Sequence, residues 1–253
     1  MIRRVLILGL LLTVVAGCST TEKPRSTPQP ERAAEINLEL GIDYFRKGNL
    51  AMAKEKIDRA VEQNPRNAKV QAAAGLLYDR LNEPKKSETH MEKAVSLDSQ
   101  NPDILNNYAV LLCKRGNHTK GEKFFVRAAE NPLYKTPEVA YLNAGNCASA
   151  ANDLAAAEVH YRKALALRPR FQEALYQMAD LEFRNKSYLS ARGFVERFLA
   201  AGKSTPSVLW LGVRVENALG NETSASNYAQ RLRLEYPNSG ETKQLLETGR
   251  QPG

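Results

Sequence analysis

The chain has 253 residues, which suits one or two domains, so composition and internal period must choose between them. A quarter of the residues are charged and only 7% are aromatic, with abundant Ala, Leu, Glu and Lys, a balance that argues for helix and against a strand-rich chain. The formal net charge is +8, but basic and acidic residues are interspersed throughout, as on solvated helix faces, so no nucleic-acid partner is expected.

At the N-terminus Arg3 and Arg4 precede an apolar run from Val5 to Val15 and then Ala16, Gly17 and Cys18, the three-part layout of a secretory signal. A run of about eleven residues is too short to cross a ~30 Å hydrocarbon core as a helix, so residues 1–17 read as a removed signal peptide. Val15-Ala16-Gly17-Cys18 resembles the bacterial lipobox. That resemblance implies diacylation of the Cys18 sulfur, cleavage before it and N-acylation of the new terminus; an ordinary signal with a chance cysteine is the alternative. Ser19 follows, and the sorting pattern of such signals then implies the outer membrane, with the lipid anchor as the membrane contact. Acyl chains contribute ~0.8 kcal/mol per buried methylene, so several hold a chain stably. Cleavage leaves 34 basic against 28 acidic side chains.

Residues 18–33 are polar and include Pro24, Pro28 and Pro30, a composition that cannot bury a core, and they read as a lipidated flexible tether. Such a length holds a folded domain on the order of 20 Å from its anchor.

Beyond the tether, small residues recur at Gly41, Gly75, Ala109, Gly145, Ala179 and Gly212, spaced 34, 34, 36, 34 and 33 residues apart. A period near 34 is the mark of a helical repeat array. The pattern resembles the tetratricopeptide repeat, which has a small residue at position 8, a large one at 7 or 11, small ones at 20 and 27, and Pro at 32. The first unit fits with Leu40, Gly41, Tyr44, Ala53, Ala60 and Pro65, and the fourth with Gly145, Ala157, Tyr161, Ala164 and Pro169. The expectation is an all-α, right-handed superhelix of about six repeats over residues 34–237. Small residues mark close helix approach, and stacking of neighbours buries what one pair cannot. The sixth unit, around Trp210, Gly212, Ala225 and Pro237, fits only with a shifted second helix. Residues 238–253 are then a capping helix near Glu241 to Glu247 and a tail.

Little in the sequence points to catalysis, and neither an enzyme nor a cofactor is expected. His90, His118 and His160 lie far apart at non-matching repeat positions, and they read as surface residues with no metal site. The stretch from Gly116 to Lys123 lacks the Gly-Lys-Ser/Thr order of a phosphate loop and falls on an inter-helix turn, where glycine reverses the chain. Cys113 and Cys147 are one repeat apart, both in first helices of adjacent units. In an oxidising compartment they are expected to pair, because stacked helices about 8 to 10 Å apart can bring facing β-carbons into range. Two separately buried thiols are the alternative, and the lack of a Cys-x-x-Cys spacing argues against a redox catalyst.

In tetratricopeptide arrays the first helices line the concave face. The inward positions hold Glu35, Leu38, Ile42, Phe45 and Arg46 in the first repeat and Ala72, Leu76 and Asp79 in the second. Leu38, Ile42, Phe45 and Leu76 form an apolar candidate docking groove, unless they pack on the tether or a neighbouring helix. If they form a groove, glutamate at Leu38 or Phe45 weakens binding and leaves stability unchanged. Asn106, Asn143 and Asn146 lie near inward positions of the third and fourth repeats, where amides can hold a peptide backbone. Leu38 and Ile42 stand where a carboxylate clamp needs basic and amide groups, so a chaperone-tail receptor is disfavoured.

With six such repeats behind a lipobox, the chain resembles the PilF/PilW family of type IV pilus biogenesis lipoproteins. The closer likeness rests on Leu105 to Tyr108, Asn131 to Tyr134, Met178 to Leu181 and Leu232 to Pro237. The resemblance implies a pilotin-like partner of secretin and other pilus assembly proteins, aiding secretin localisation or multimerisation. A lipoprotein scaffold for outer-membrane protein insertion or for cell-wall enzymes shares the same features.

Overall fold

The computed structural model describes residues 29–248. The signal, Cys18 and the tether up to residue 28 lie outside the described residues, as do residues 249–253. The described residues form thirteen helices and no strand: α1 (Pro30–Arg46), α2 (Leu50–Gln63), α3 (Ala68–Arg80), α4 (Pro84–Leu97), α5 (Pro102–Lys114), α6 (His118–Ala129), α7 (Pro137–Ala150), α8 (Leu154–Leu167), α9 (Gln172–Arg184), α10 (Tyr188–Ala201), α11 (Pro206–Ala218), α12 (Glu222–Glu235) and α13 (Gly240–Thr248). Successive pairs make six helix hairpins, and each pair packs on the next to form a solenoid.

Local sequence sets the ends of these helices. Asn49, Asn67, Asn101, Asp153, Thr205 and Asn221 each accept a hydrogen bond from a backbone N–H of the first turn. Pro84, Pro102, Pro137 and Pro206 are first helical residues, where the missing N–H costs nothing. Pro30 does the same for α1, so residues 30–33, assigned to the tether on composition, belong to the first helix. A proline that cannot continue a helix can still open one.

Each hairpin closes through one left-handed residue: Gly48, Asn82, Gly116, Asn152, Lys186 and Gly220, at φ of 76, 59, 81, 61, 61 and 71°. The small residue of each first helix precedes this turn by seven positions in the first five hairpins and by eight in the sixth. The turns at Lys186 and Gly220 keep the 34-residue period and α11 has the same thirteen residues as α9, so in the sixth repeat the small residue sits one position early in its helix and no residue is inserted. The two extra residues of the third repeat lie in its exit loop. There Asn131 accepts from the Leu133 N–H at 2.9 Å and donates to the Gln100 carbonyl at 2.7 Å. Beyond the sixth hairpin α13 packs on α11 and α12, and buried Thr242 donates to the Tyr236 carbonyl at 2.7 Å.

The core runs along the array where the small residues meet a large one sixteen positions on, as in Gly41 with Ile57, Gly75 with Met91 and Gly145 with Tyr161. A β-carbon at Gly145 would stand inside the contact shell of the Tyr161 ring, which is fully buried. Gly145→Ala is expected to destabilise the fold by about 1 to 3 kcal/mol through overpacking, read as a lower urea midpoint at unchanged slope. The large position-7 residue fills the hole beside the preceding repeat, and Tyr108, Met178 and Leu211 are buried there. Leu40, the corresponding residue of the first repeat, is 43% exposed, because no described helix precedes α1.

Burial pushes the Tyr161 phenol up from 10.0 to about 12, and its hydroxyl donates to Asn146 Oδ1 at 2.9 Å. Tyr78, Tyr108, Tyr134, Tyr141, Tyr176 and Tyr228 are raised as well, each chiefly by burial. A folded-state pKa above the unfolded value means the fold holds the proton more tightly. The stabilisation is complete below about pH 10 and is lost as pH rises towards 12. The melting temperature is expected to fall across that window, and to fall less in Tyr161→Phe.

Candidate partner-binding groove

The first helices α1, α3 and α5 lie side by side, and a groove of about 530 Å³ opens between them. Leu38, Ile42 and Phe45 share one face of α1 at helical spacing. Ala72 and Leu76 of α3 continue the apolar floor, with Leu76 one repeat length after Ile42, and Ile104 of α5 closes it. The polar groups on its lining are Arg46, Lys69, Asn101, Asp103 and Asn107. Asn101 is committed to structure, capping α5 through Ile104 N and donating to Asp98 at 3.0 Å. This is an apolar trough with charges of both signs on its lining, suited to the apolar stripe of a partner helix.

The groove residues differ in how far they also serve the core. Leu38 is only 8% exposed and packs with Ala60 and Val70, so it is floor and core together. The expectation that Leu38→Glu spares stability is thereby corrected, because a carboxylate there would be buried without a partner. Ile42 and Phe45 are half-buried and present more of their surface to the groove. Glu35 lies in an adjoining cleft with Arg66 and Leu97, and Asp79 pairs with Lys114 at 2.9 Å.

The three asparagines are not brought into this groove. Asn143 donates to Asn106 Oδ1 at 3.4 Å across the α5–α7 seam, and the Asn146 carbonyl is taken by Tyr161. Spacing alone assigned them to the concave face without revealing that their amides bond within the array. Lys69, Asp103, Ile104 and Asn107 were missed by the sequence reading. Asp103 falls on inward position 2 of the third repeat and was recoverable by the same rule that gave Glu35.

Cys113 of α5 and Cys147 of α7 form a disulfide across the same seam, with a Cα–Cα distance of 5.7 Å. The histidines are not uniformly on the surface. His160 is 6% exposed, with Nε2 2.8 Å from Glu122 of α6 and its ring stacked on Tyr141. His90 stacks on Tyr78, bonds through Nδ1 to Gln71 at 2.8 Å, and burial lowers its pKa. His118, the first residue of α6, has Nδ1 3.8 Å from Cys147 Sγ. Their repeat positions gave no sign of these contacts, because each is made across a helix boundary to a different partner type. No described helix is long and apolar enough to cross a membrane.

Comparison with known proteins agrees with this architecture. The family model described as tetratricopeptide repeat matches residues 38–102 and 140–206, and a second model of the same description matches residues 90–123. The type IV pilus assembly protein PilF of Pseudomonas aeruginosa is 27% identical over 245 residues, covering 96% of this chain and 97% of that protein. A solved structure of P. aeruginosa PilF superposes with a TM-score of 0.73 at 26% identity, covering 87% of this chain and 99% of the other. That of PilW, described as a widely conserved type IV pilus biogenesis factor, gives 0.75 at 26% identity over 84% and 98%. The helix pairs, their period and these matches together place the chain in the tetratricopeptide repeat family, as a near full-length homologue of PilF.

Proposed function

We propose that this protein is an outer-membrane lipoprotein, anchored through acylated Cys18, whose repeat array binds secretin subunits and supports their localisation or multimerisation during type IV pilus biogenesis. Near full-length homology to PilF supports a tetratricopeptide scaffold in pilus biogenesis. The observation that carries the finer reading is the apolar groove across α1, α3 and α5, which offers an extended binding face and no catalytic constellation. The protein acts by holding a partner, and the lipobox keeps that partner at the membrane where it must assemble.

The test is the oligomeric state of the outer-membrane secretin on gels run without boiling, in cells with and without the gene. Loss of the multimer, rescued by the intact gene and not by Cys18→Ala, is the expected result. An unchanged multimer overturns the secretin-assembly role. Pull-downs that return insertion machinery or cell-wall hydrolases and no secretin would favour the general scaffold.

A further inference from the structure

Among the described residues, one cluster brings three metal-ligating side chains together: Cys113, His118 and Cys147, whose ligand atoms all lie within 4.8 Å of one another. Three helices supply them, since Cys113 is near the end of α5, His118 opens α6 and Cys147 lies in α7. None lines the apolar groove. Gly121, one turn into α6, keeps the place open, because a β-carbon there would collide with Cys113 Sγ.

The spacing fits a tetrahedral thiophilic ion. Zinc with Zn–S of about 2.3 Å and Zn–N of about 2.0 Å sets a sulfur and a nitrogen ligand roughly 3.5 Å apart, and two sulfurs roughly 3.8 Å apart. His118 Nδ1 already stands 3.8 Å from Cys147 Sγ. The two sulfurs are bonded in the oxidised chain, and once unlinked they reach the zinc spacing by small side-chain rotations. The Cα–Cα distance of 5.7 Å needs little change.

We infer that the dithiol form of this chain binds a thiophilic divalent cation such as zinc through Cys113 Sγ, Cys147 Sγ and His118 Nδ1. The fourth position is left to water. Disulfide and metal site are then alternative states of one seam: the first ties α5 to α7, and the second ties α6 in as well. The dithiol state exists before the cysteines are first oxidised, and it is regenerated by a dithiol reductant. In that step the S–S bond takes up two electrons and two protons, and the reductant leaves as its own disulfide. Metal binding then releases one proton from each thiol, while His118 keeps its proton on Nε2.

The experiment uses the full chain carrying Cys18→Ser, so that no third thiol competes, reduced with a phosphine under nitrogen and freed of reductant. Cobalt(II) is the probe, with zinc as competitor and circular dichroism recorded alongside. The expected result is one cobalt per chain with the absorption of tetrahedral thiolate coordination, displaced by one equivalent of zinc. Both cysteines become protected from maleimide, and the oxidised chain shows no uptake. His118→Ala, whose folding is verified in the oxidised form, is expected to weaken binding by about tenfold or more, since even outer-sphere partners of a metal ligand contribute that much. A reduced chain that loses helicity and regains it with metal supports the site, and one that loses it and takes no metal overturns it. Equal uptake by the oxidised chain, or affinity unmoved in His118→Ala, also overturns it.

Discussion

Cys147→Ser is expected to lower the free energy of unfolding by about 3 to 4 kcal/mol, the chain-entropy value for a loop whose ends are 34 residues apart. The bond joins α5 to α7 in the middle of the array, so without it the unfolded chain regains the freedom of a whole repeat. A serine hydroxyl at this buried position adds to the loss if it finds no partner. Cys113→Ser and the double variant should lie close to the single variant, because either change removes the same bond and the losses cannot add. Urea unfolding of metal-free protein measures all three. A loss below about 1 kcal/mol in both single variants would mean that the oxidised seam contributes little beyond its packing.

Under the secretin-binding role proposed above, Phe45→Glu is expected to weaken that binding by about thirtyfold or more, the ~2 kcal/mol typical of an aromatic anchor at an interface centre. Its ring lies half-buried along the groove and packs only partly against the Ala53, Ile57 and Leu77 cluster, so the folded state should survive the change. Ile42→Glu should behave similarly. Leu38→Glu is the contrasting control: it sits on the same stripe but is largely core, and it should lower the melting temperature together with binding. Calorimetry or surface-plasmon titration against a purified secretin fragment, with a thermal melt of each variant, separates the two behaviours. Unchanged affinity in Phe45→Glu would move the docking face away from α1.

The fold was legible because the repeat writes one instruction six times. Gly41, Gly75, Ala109, Gly145, Ala179 and Gly212 each mark a close helix approach, and a period survives the loss of any one signal. The apolar groove was legible for a related reason, since Leu38, Ile42, Phe45 and Leu76 keep helical phase and repeat phase at once. What stayed hidden depended on single contacts between repeats. Glu216 reads as one more solvated carboxylate, yet it is 3% exposed and takes a two-pronged hydrogen bond from Arg192 of α10. His160 and Glu122 are 38 residues apart, off the repeat spacing, so no periodic rule links them. Leu40 carries the residue type of its position, but among the described residues no helix precedes α1 to cover it.

The left-handed turns carry a different kind of consequence. Each hairpin reverses through a single backbone position, and in a nearest-neighbour stack a change there is felt first by its own helix pair. A β-branched residue at Gly116 would loosen the third pair, whereas glycine at Lys186 would relieve the fifth of the left-handed cost that a side chain imposes. The six turns are therefore separate joints, and those at Lys186 and Gly220 can be changed without touching the apolar floor or the cysteine seam, whereas Gly48 bonds to the Phe45 carbonyl and Gly116 to that of Cys113.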